Sequence, residues 1–191
     1  LKTRLGFLNG QENILRVAKR AEEAGIAALA LHGRTREDMY LNTARYDLIK
    51  HVKELINIPL IANGDIDSPE KAKYVLDYTG ADAIMIGRAA QGRPWIFREI
   101  AHYLKTGEHL AAPNIEEVKQ VLLGHLSELY QFYGEYSGCR IARKHIAWYT
   151  KGLRSSNEFR QNMYKVESTA EQAIVVENYF NQLLAEGNLM S

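Results

Sequence analysis

The stretches "IANGDI" (61–66) and "MIGRAA" (85–90) each end an apolar run at a glycine. Gly64 and Gly87 lie 23 residues apart, and one helical pattern fills the space between them. An apolar run followed by a helix, repeated at this interval, predicts two successive strand–helix units. The polar residues beside the two glycines then stand where each strand ends.

The helix between these two strands has its own start and stop signals. Ser68 can cap a helix whose first position is Pro69, and Gly80 can end it. Residues at helical spacing are predicted to face inward: Ala72, Val75 and Leu76.

The same unit recurs along the first part of the chain. Strands are predicted within 1–6, 27–33, 58–64 and 81–87. The run at 27–33 is apolar with almost no polar alternation, as in a strand buried on both faces, whereas Lys2 and Arg4 alternate with Leu1, Thr3 and Leu5 on the first strand. The other helical patterns have predicted inward positions Ile14, Val17, Ala18 and Ala21; Leu48, Ile49, Val52, Leu55 and Ile56; and, after Pro94, Phe97, Ile100 and Leu104. Four such units predict an α/β fold with parallel strands and right-handed crossovers, as in a barrel or a doubly wound sheet. The chain has no G-x-G-x-x-G, so a dinucleotide-binding sheet is unsupported.

A boundary is predicted at "AAPN" (111–114), which separates a first domain, 1–110, from a second, 114–191. No strand pattern follows this boundary. Apolar residues instead trace helical faces: Val118, Val121, Leu122, His125, Leu126 and Leu129; Ile141, Ala142, Ile146 and Tyr149; and Ile174, Val175, Phe180, Leu183 and Leu184. The second domain is therefore predicted to be a small all-α helical bundle.

Charge is distributed unevenly along the chain. The formal net charge of +1 neither indicates nor excludes a nucleic-acid partner. Residues 138–165, however, include seven lysines and arginines and only one acid, Glu158. The rest of the chain therefore has a net charge of −5. A local basic face is predicted.

The single cysteine, Cys139, excludes an intrachain disulfide, and no apolar run reaches about 18 residues, the length of a membrane-spanning helix. We therefore expect a cytoplasmic protein with no membrane partner, and no metal ligands. Because the chain begins at Leu1 within a predicted strand, we also expect that an N-terminal part is absent.

The glycine loops predict a phosphate site. In strand–helix barrels the active site lies at the carboxyl ends of the strands, and the loops after the last two strands often hold a phosphate. Gly64 and Gly87 would let a ligand approach the backbone, and Arg88 offers a planar guanidinium for phosphate oxygens. The alternative is that both glycines only turn the chain. Lys2 could hold a cofactor oxygen or lie on a solvated terminus, and His32 could contact a ligand or be a core histidine.

The stretch "CRIARKHIAWY" (139–149) places basic residues along one helical side: Arg140, Arg143, Lys144 and, beyond it, Lys151. Phosphate contacts of a nucleic acid need such a face, although a charge stripe can also be a solvated surface. Basic neighbours could lower the pKa of the Cys139 thiol, which is otherwise incidental.

Five motifs stand at 1–6, 32–36, 61–66, 80–97 and 140–149: "LKTRLG", "HGRTR", "IANGDI", "GADAIMIGRAAQGRPWIF" and "RIARKHIAWY". Together they resemble the tRNA-dihydrouridine synthases, in particular the bacterial B-type enzymes, over essentially the whole chain. The resemblance implies a TIM-type (β/α)8 barrel that binds FMN, joined to a helical tRNA-binding domain. It implies reduction of the C5–C6 bond of selected uridines in tRNA, with NADPH as the reductant. Matching FMN positions are Lys2, His32, Asn63, Gly64, Asp65, Gly87 and Arg88; expected tRNA contacts are Arg34, Arg36, Arg140, Arg143 and Lys144.

The chain departs from the family in one large respect. It corresponds to the C-terminal half of the barrel, strands 5–8, followed by the helical domain, and the family's catalytic cysteine would lie in the missing N-terminal half. No catalytic residue is therefore expected in this chain, which should be inactive alone. Its unpaired strand edges would face that missing half or another copy of the chain. Two alternatives stay open: another FMN or phosphate-ligand barrel oxidoreductase acting on a small molecule, and an RNA-binding module without catalysis.

Overall fold

The computed structural model describes residues 1–39 and 41–188. The chain divides into two units: Leu1–Ala90 with Ile96–Leu110, and Gln91–Trp95 with the chain from Ala111 onward. The sequence did not predict that Gln91–Trp95 belongs with the helical second unit. The last three residues of the predicted second domain, 189–191, lie outside the described residues.

The first unit is built on a four-stranded parallel sheet with strand order β1-β2-β3-β4. The strands are β1 (Lys2–Arg4), β2 (Leu29–His32), β3 (Leu60–Asn63) and β4 (Ala83–Met85). The helices are α1 (Ile14–Glu23), α2 (Tyr46–Leu55), α3 (Pro69–Thr79) and α4 (Ile96–Thr106). The predicted α/β fold with parallel strands is confirmed, and its strand–helix order is consistent with part of a barrel.

The register of the sheet aligns the last residues of the four strands. Arg4 pairs with His32, His32 pairs with Asn63, and Asn63 pairs with Met85. The carboxyl ends of the strands therefore form one row, and the loops that follow each strand leave the sheet at the same edge. This register brings distant parts of the sequence together at the candidate site.

The core of the first unit lies between the sheet and its helices. Strand β2 is buried along its whole length, as predicted, whereas β4 is an edge strand among those described and Ala83 is exposed. The predicted signals of α3 are confirmed: the Ser68 Oγ accepts from the Lys71 N–H at 3.1 Å, and Gly80 ends the helix in the left-handed conformation.

Three predicted inward positions of the first unit are wrong, because Leu55, Phe97 and Leu104 are exposed; on the second unit, Ile174 is exposed as well. On α4 the buried stripe is instead Ile96 and Ile100. Apolar residues at helical spacing define two neighbouring stripes on α4, and the periodicity alone does not decide which stripe meets the sheet.

The described part of the second unit is helical, with α5 (Ile115–Tyr149), α6 (Ser156–Met163) and α7 (Thr169–Asn188). Gly134 interrupts α5 with a non-helical conformation, φ 73° and ψ 179°, between the two predicted helical faces. Buried side chains from the three helices share one core, including Leu122, Leu126, Ile146, Met163, Val176 and Phe180. Within the described residues, no helix has a stretch long and apolar enough to cross a membrane.

Gly92 is in close contact with the end of α5. It has φ +72°, and a Cβ added there would lie 2.5–2.7 Å from backbone atoms of Trp148 and Tyr149. We expect Gly92→Ala to lower the free energy of unfolding by about 2–4 kcal/mol, because it combines overpacking with left-handed strain. Urea-induced unfolding measures the change.

Gly107→Ala is the matched control for Gly92→Ala. Gly107 has φ +78°, but no atom of the described residues lies within 4 Å of an added Cβ, so only the conformational cost of about 1–2 kcal/mol applies. Equal losses of stability in the two variants would contradict the close packing of Gly92.

Candidate functional site

A cavity of about 640 Å³ opens at the carboxyl ends of the strands. Its lining contains all seven residues that the sequence assigned to a cofactor: Lys2, His32, Asn63, Gly64, Asp65, Gly87 and Arg88. Arg4, Asp67 and Met85 also line it. The structure therefore brings residues from four successive strand–helix units into one site.

Asp65 is the polar centre of this site. It follows β3 with φ 51°, a left-handed conformation that is uncommon for a residue other than glycine. Its Oδ2 accepts from Arg34 Nη2 at 2.6 Å and from the Ala44 N–H at 2.9 Å, and its Oδ1 lies 3.3 Å from Arg88 Nη2. The carboxylate therefore joins the loops after β2, β3 and β4.

The environment of Asp65 favours its charged form. Burial raises its pKa, but the hydrogen bonds from the Ala44 N–H and Arg34, together with the charges of Arg34 and Arg88, outweigh burial and lower the pKa below 3.8. Because folding lowers this pKa, the carboxylate stabilises the folded protein above pH 3.8. That contribution is lost as the pH falls through the folded-state pKa.

Arg34 is a buried structural residue. Its exposed fraction is 3%, its Nε donates to the Asn42 carbonyl at 2.6 Å, and its Nη2 pairs with Asp65. The guanidinium is enclosed and its charge is compensated by Asp65, so this position does not favour the expected contact of Arg34 with tRNA. Arg36, two residues later, is exposed and lies 4.9 Å from the centre of the Phe7 ring.

His32 is a buried neutral imidazole at the end of β2. Burial, followed by the positive charges of Arg4, Arg34 and Lys2, lowers its pKa to about 4 against the opposing effect of Asp65. Its Nε2 lies 3.4 Å from Arg34 Nη1, and a guanidinium can only donate. Nε2 is therefore the acceptor, and the proton of the neutral ring is on Nδ1.

Gly64 and Gly87 lie in different surroundings, which give different reasons for a glycine at each position. Gly64 has φ +126°, and a Cβ there would lie 2.8 Å from the Ala44 Cβ and 3.0 Å from the His32 Cδ2. These close contacts and the positive φ require a glycine here. Its main-chain carbonyl also accepts from the Tyr46 hydroxyl at 2.6 Å. At Gly87, an added Cβ would have no atom within 4 Å in the part of the chain that the structure describes, so the backbone there is open to close approach.

Asn63 connects the ends of two strands. Its side-chain Nδ2 donates to the Met85 carbonyl at 2.7 Å, and its main-chain carbonyl accepts from the Gly33 N–H at 3.0 Å. The amide of Asn63 therefore holds the end of β4 against β3, and its side chain remains part of the cavity wall.

Sequence reasoning missed the polar network that orders the loop after β2. The Asp38 carboxylate accepts from the Thr35 N–H at 2.7 Å, and the Thr35 Oγ1 accepts from the Asp38 N–H at 3.2 Å. This reciprocal pair has the hydrogen-bond pattern of a capping box but closes a turn instead of starting a helix, and "TRED" (35–38) was the signal for it. Hydrogen bonds, the largest from Asn42, hold the pKa of Asp38 well below its usual range despite burial. Arg45 adds an ion pair to Asp38 at 3.3 Å.

Cationic groups outnumber acids around the cavity. Lys2, Arg4 and Arg88 line it, and the Arg4 Nη1 donates to the Thr35 carbonyl at 2.8 Å. Of the two lining acids, Asp65 is bonded to two arginines and an amide. The site is therefore suited to an anionic ligand.

On the second unit, the predicted basic stripe divides into outward and inward residues. Arg140 and Lys144 are exposed. Arg143 is half-buried, donates from Nη2 to the Val166 carbonyl at 2.9 Å, and has a buried Nε without a hydrogen-bond partner within the described residues. Arg143 thus connects α5 to the segment after α6. Burial raises the pKa of Cys139; Arg143 and Arg140 lower it, as expected of basic neighbours, but burial outweighs them.

Comparison with known proteins gives one consistent result. The family described as dihydrouridine synthase (Dus) matches residues 1–185. The tRNA-dihydrouridine synthase B of Vibrio vulnificus is 56% identical over 183 residues, which is 96% of this chain and 57% of that protein. The protein of the same name from Shewanella oneidensis is 55% identical, over 96% of this chain and 57% of its own length. The one from Pseudomonas aeruginosa is 54% identical, over 94% of this chain and 54% of its own length. This chain spans a little over half the length of these relatives.

Asp65→Asn tests whether this carboxylate organises the site. The substitution keeps the shape of the side chain but leaves the buried Arg34 charge uncompensated, so we expect the free energy of unfolding to fall by about 3 kcal/mol. Asp77→Asn is the matched control, because Asp77 forms an exposed ion pair with Lys73 and should contribute less than about 0.5 kcal/mol. Similar small losses in both variants, measured by urea unfolding, would show that Asp65 is not the centre of the site.

Proposed function

This chain belongs to the dihydrouridine synthase family, and we propose that the protein containing it reduces selected uridines of tRNA to 5,6-dihydrouridine, with FMN as cofactor and NADPH as reductant. The observation that carries the proposal is the cationic cavity at the carboxyl ends of the strands, where Lys2, His32, Asn63, Gly87 and Arg88 meet. This is the position at which barrel enzymes bind their ligands.

The residues that line the cavity fit FMN. Its volume of about 640 Å³ lies within the range of cofactor sites, about 300–1,000 Å³. Arg88, half-exposed beside Asp65, would bind the phosphate, and the open backbone at Gly87 would allow that group to approach closely. Lys2 would hold an anionic oxygen of the ring system. When bound, the flavin supplies the hydride that reduces the C5–C6 bond.

The remaining residues prepare the site. Asp65 restrains the Arg88 guanidinium through their 3.3 Å ion pair and lowers the entropy that Arg88 would lose on binding a phosphate. His32, neutral near pH 7, can donate a hydrogen bond from Nδ1 without adding charge to a cavity that is already cationic. Tyr46 and Asn63 hold the loops that carry Gly64 and the end of β4.

We assign no proton donor for the uracil ring within this chain. Cys139 belongs to the second unit, and its buried thiol, with a raised pKa, lies 3.5 Å from the Val166 carbonyl. We propose that the sheet is the second half of a (β/α)8 barrel and that the proton donor comes from the other half. The greater length of the relatives and the single sheet neighbour of β1 and of β4, among the described strands, support this proposal.

For tRNA, we propose that the second unit provides a helical binding domain. Exposed Arg140 and Lys144 are available for phosphate contacts, together with Arg36 on the first unit. Arg143 has a structural role instead, since it is bonded to Val166, and Arg34 is excluded from this set by its burial. The outward basic residues would bind the phosphate backbone independently of its sequence.

The test is the dihydrouridine content of tRNA in a strain without the gene. Each dihydrouridine position is mapped separately, because a total content could hide the loss of one site. We expect at least one position to remain uridine in the deletion strain. Purified full-length protein with FMN and NADPH should then convert that uridine in isolated tRNA. An unchanged map would contradict the proposed function.

A further inference from the structure

The break in α5 carries a run of exposed side chains that the proposed site does not use. Residues 131–137 are all exposed, and Gly134 lies at their centre. Three of them are aromatic: Phe132, Tyr133 and Tyr136, with exposed fractions of 81%, 49% and 68%. Other large aromatic side chains of this unit, such as Phe159 and Phe180, are buried in its core.

The conformation of Gly134 explains this exposure. The buried face of α5 runs through Leu126 and Leu129 before the break and resumes at Gly138 and Cys139. Between these positions the apolar period is interrupted, so the intervening rings do not reach the core. The Phe132 and Tyr133 rings contact each other edge to face, with centroids 4.8 Å apart.

Cations accompany the exposed rings. The Arg140 guanidinium lies 4.0 Å from the centre of the Tyr136 ring, and one turn later the Lys144 ammonium lies 5.3 Å from the centre of the Trp148 ring. Glu135, the one acid in the exposed run, is turned toward α7, where its Oε1 accepts from the Thr169 N–H at 2.7 Å. Two cations of α5, Arg140 and Lys144, therefore lie against aromatic rings, and Arg140 contacts a ring of the exposed run.

We propose that Phe132, Tyr133, Tyr136 and Arg140 form an aromatic platform on which unpaired bases of an RNA stack. Every base has a flat face that can stack on an aromatic ring or a guanidinium, and a neighbouring lysine can contact the phosphate. This inference rests on the proposed function and specifies it further: the second unit binds single-stranded nucleotides of the tRNA in addition to its phosphate backbone.

The charge of Arg140, which lies over the Tyr136 ring, favours an RNA over a protein as the partner of this platform. Aromatic residues and arginine are also enriched in protein–protein interfaces, but burying the Arg140 charge there would require a matching acid on the partner. RNA supplies both a base for the ring or guanidinium and a phosphate for the charge. Duplex RNA supplies only the phosphate, because its bases already stack on one another.

The first experiment compares two probes on the full-length protein. One is a 12-nucleotide single-stranded RNA with a central 2-aminopurine, whose fluorescence is quenched when the base stacks; the other is the same strand in a blunt duplex. A purely electrostatic face would bind the duplex at least as tightly, since its phosphate density is higher. The platform predicts tighter binding of the single strand and additional quenching at saturation. Preference for the duplex without quenching overturns the proposal.

The second experiment assigns the effect to a ring. Tyr136→Ser should weaken single-strand binding roughly 5- to 150-fold, the range for one base–aromatic stack, with an unchanged salt dependence. Tyr136→Phe keeps the ring and should bind like the wild type. Tyr164→Ser is the matched control, because Tyr164 is also an exposed tyrosine of the second unit. Arg140→Ala should weaken binding and also reduce the slope of log K against log salt.

The outcomes separate this inference from the proposed function. If the wild-type protein converts uridine in tRNA but Tyr136→Ser binds the single strand as the wild type does, the platform is wrong and the proposed function stands. If the wild type shows neither conversion of uridine nor binding of tRNA, both are wrong. A thermal melt accompanies each variant, and the quenching experiment tests the platform on the unaltered protein if Tyr136→Ser fails to fold.

Discussion

The ion pair between Asp65 and Arg34 is the interaction on which the candidate site depends. A guanidinium that is 3% exposed is costly to bury, and the Asp65 carboxylate at 2.6 Å compensates its charge. The same carboxylate accepts from the Ala44 N–H and pairs with Arg88. One side chain therefore fixes the loops after β2, β3 and β4 against each other, although these loops are far apart in the sequence.

A division of roles follows from this interaction. Arg34, Tyr46 and Asp38 are directed into the loops and determine their shape, whereas Lys2 and Arg88 border the cavity. The residues inside the loops can be essential without contacting a substrate, because they hold the loops that position the residues bordering the cavity. A substitution at an inward residue would lower stability and ligand affinity together, whereas a substitution at Lys2 would affect affinity alone.

The sequence predicted the elements better than their contacts. Glycine and proline signals and apolar runs identified four strands and their helices, because these patterns act locally along the chain. The buried face of α4 was predicted incorrectly, because Ile96 and Phe97 fit the helical periodicity equally well. The burial of Arg34 could not be inferred from "HGRTR", because its partner Asp65 lies 31 residues away. Gly64 was interpreted as a ligand contact, but the His32 and Ala44 side chains beside it also require a glycine.

The central claim is that the strand ends form an anion site for the phosphate of FMN. The most direct measurement compares the affinities of the full-length protein for FMN and for riboflavin, which differ only in that phosphate. If Arg88 contacts the phosphate, FMN should bind about 10- to 100-fold more tightly, as expected for a charge-assisted contact, and Arg88→Ala should remove most of the difference. Equal affinities for the two flavins in the wild type would contradict the claim.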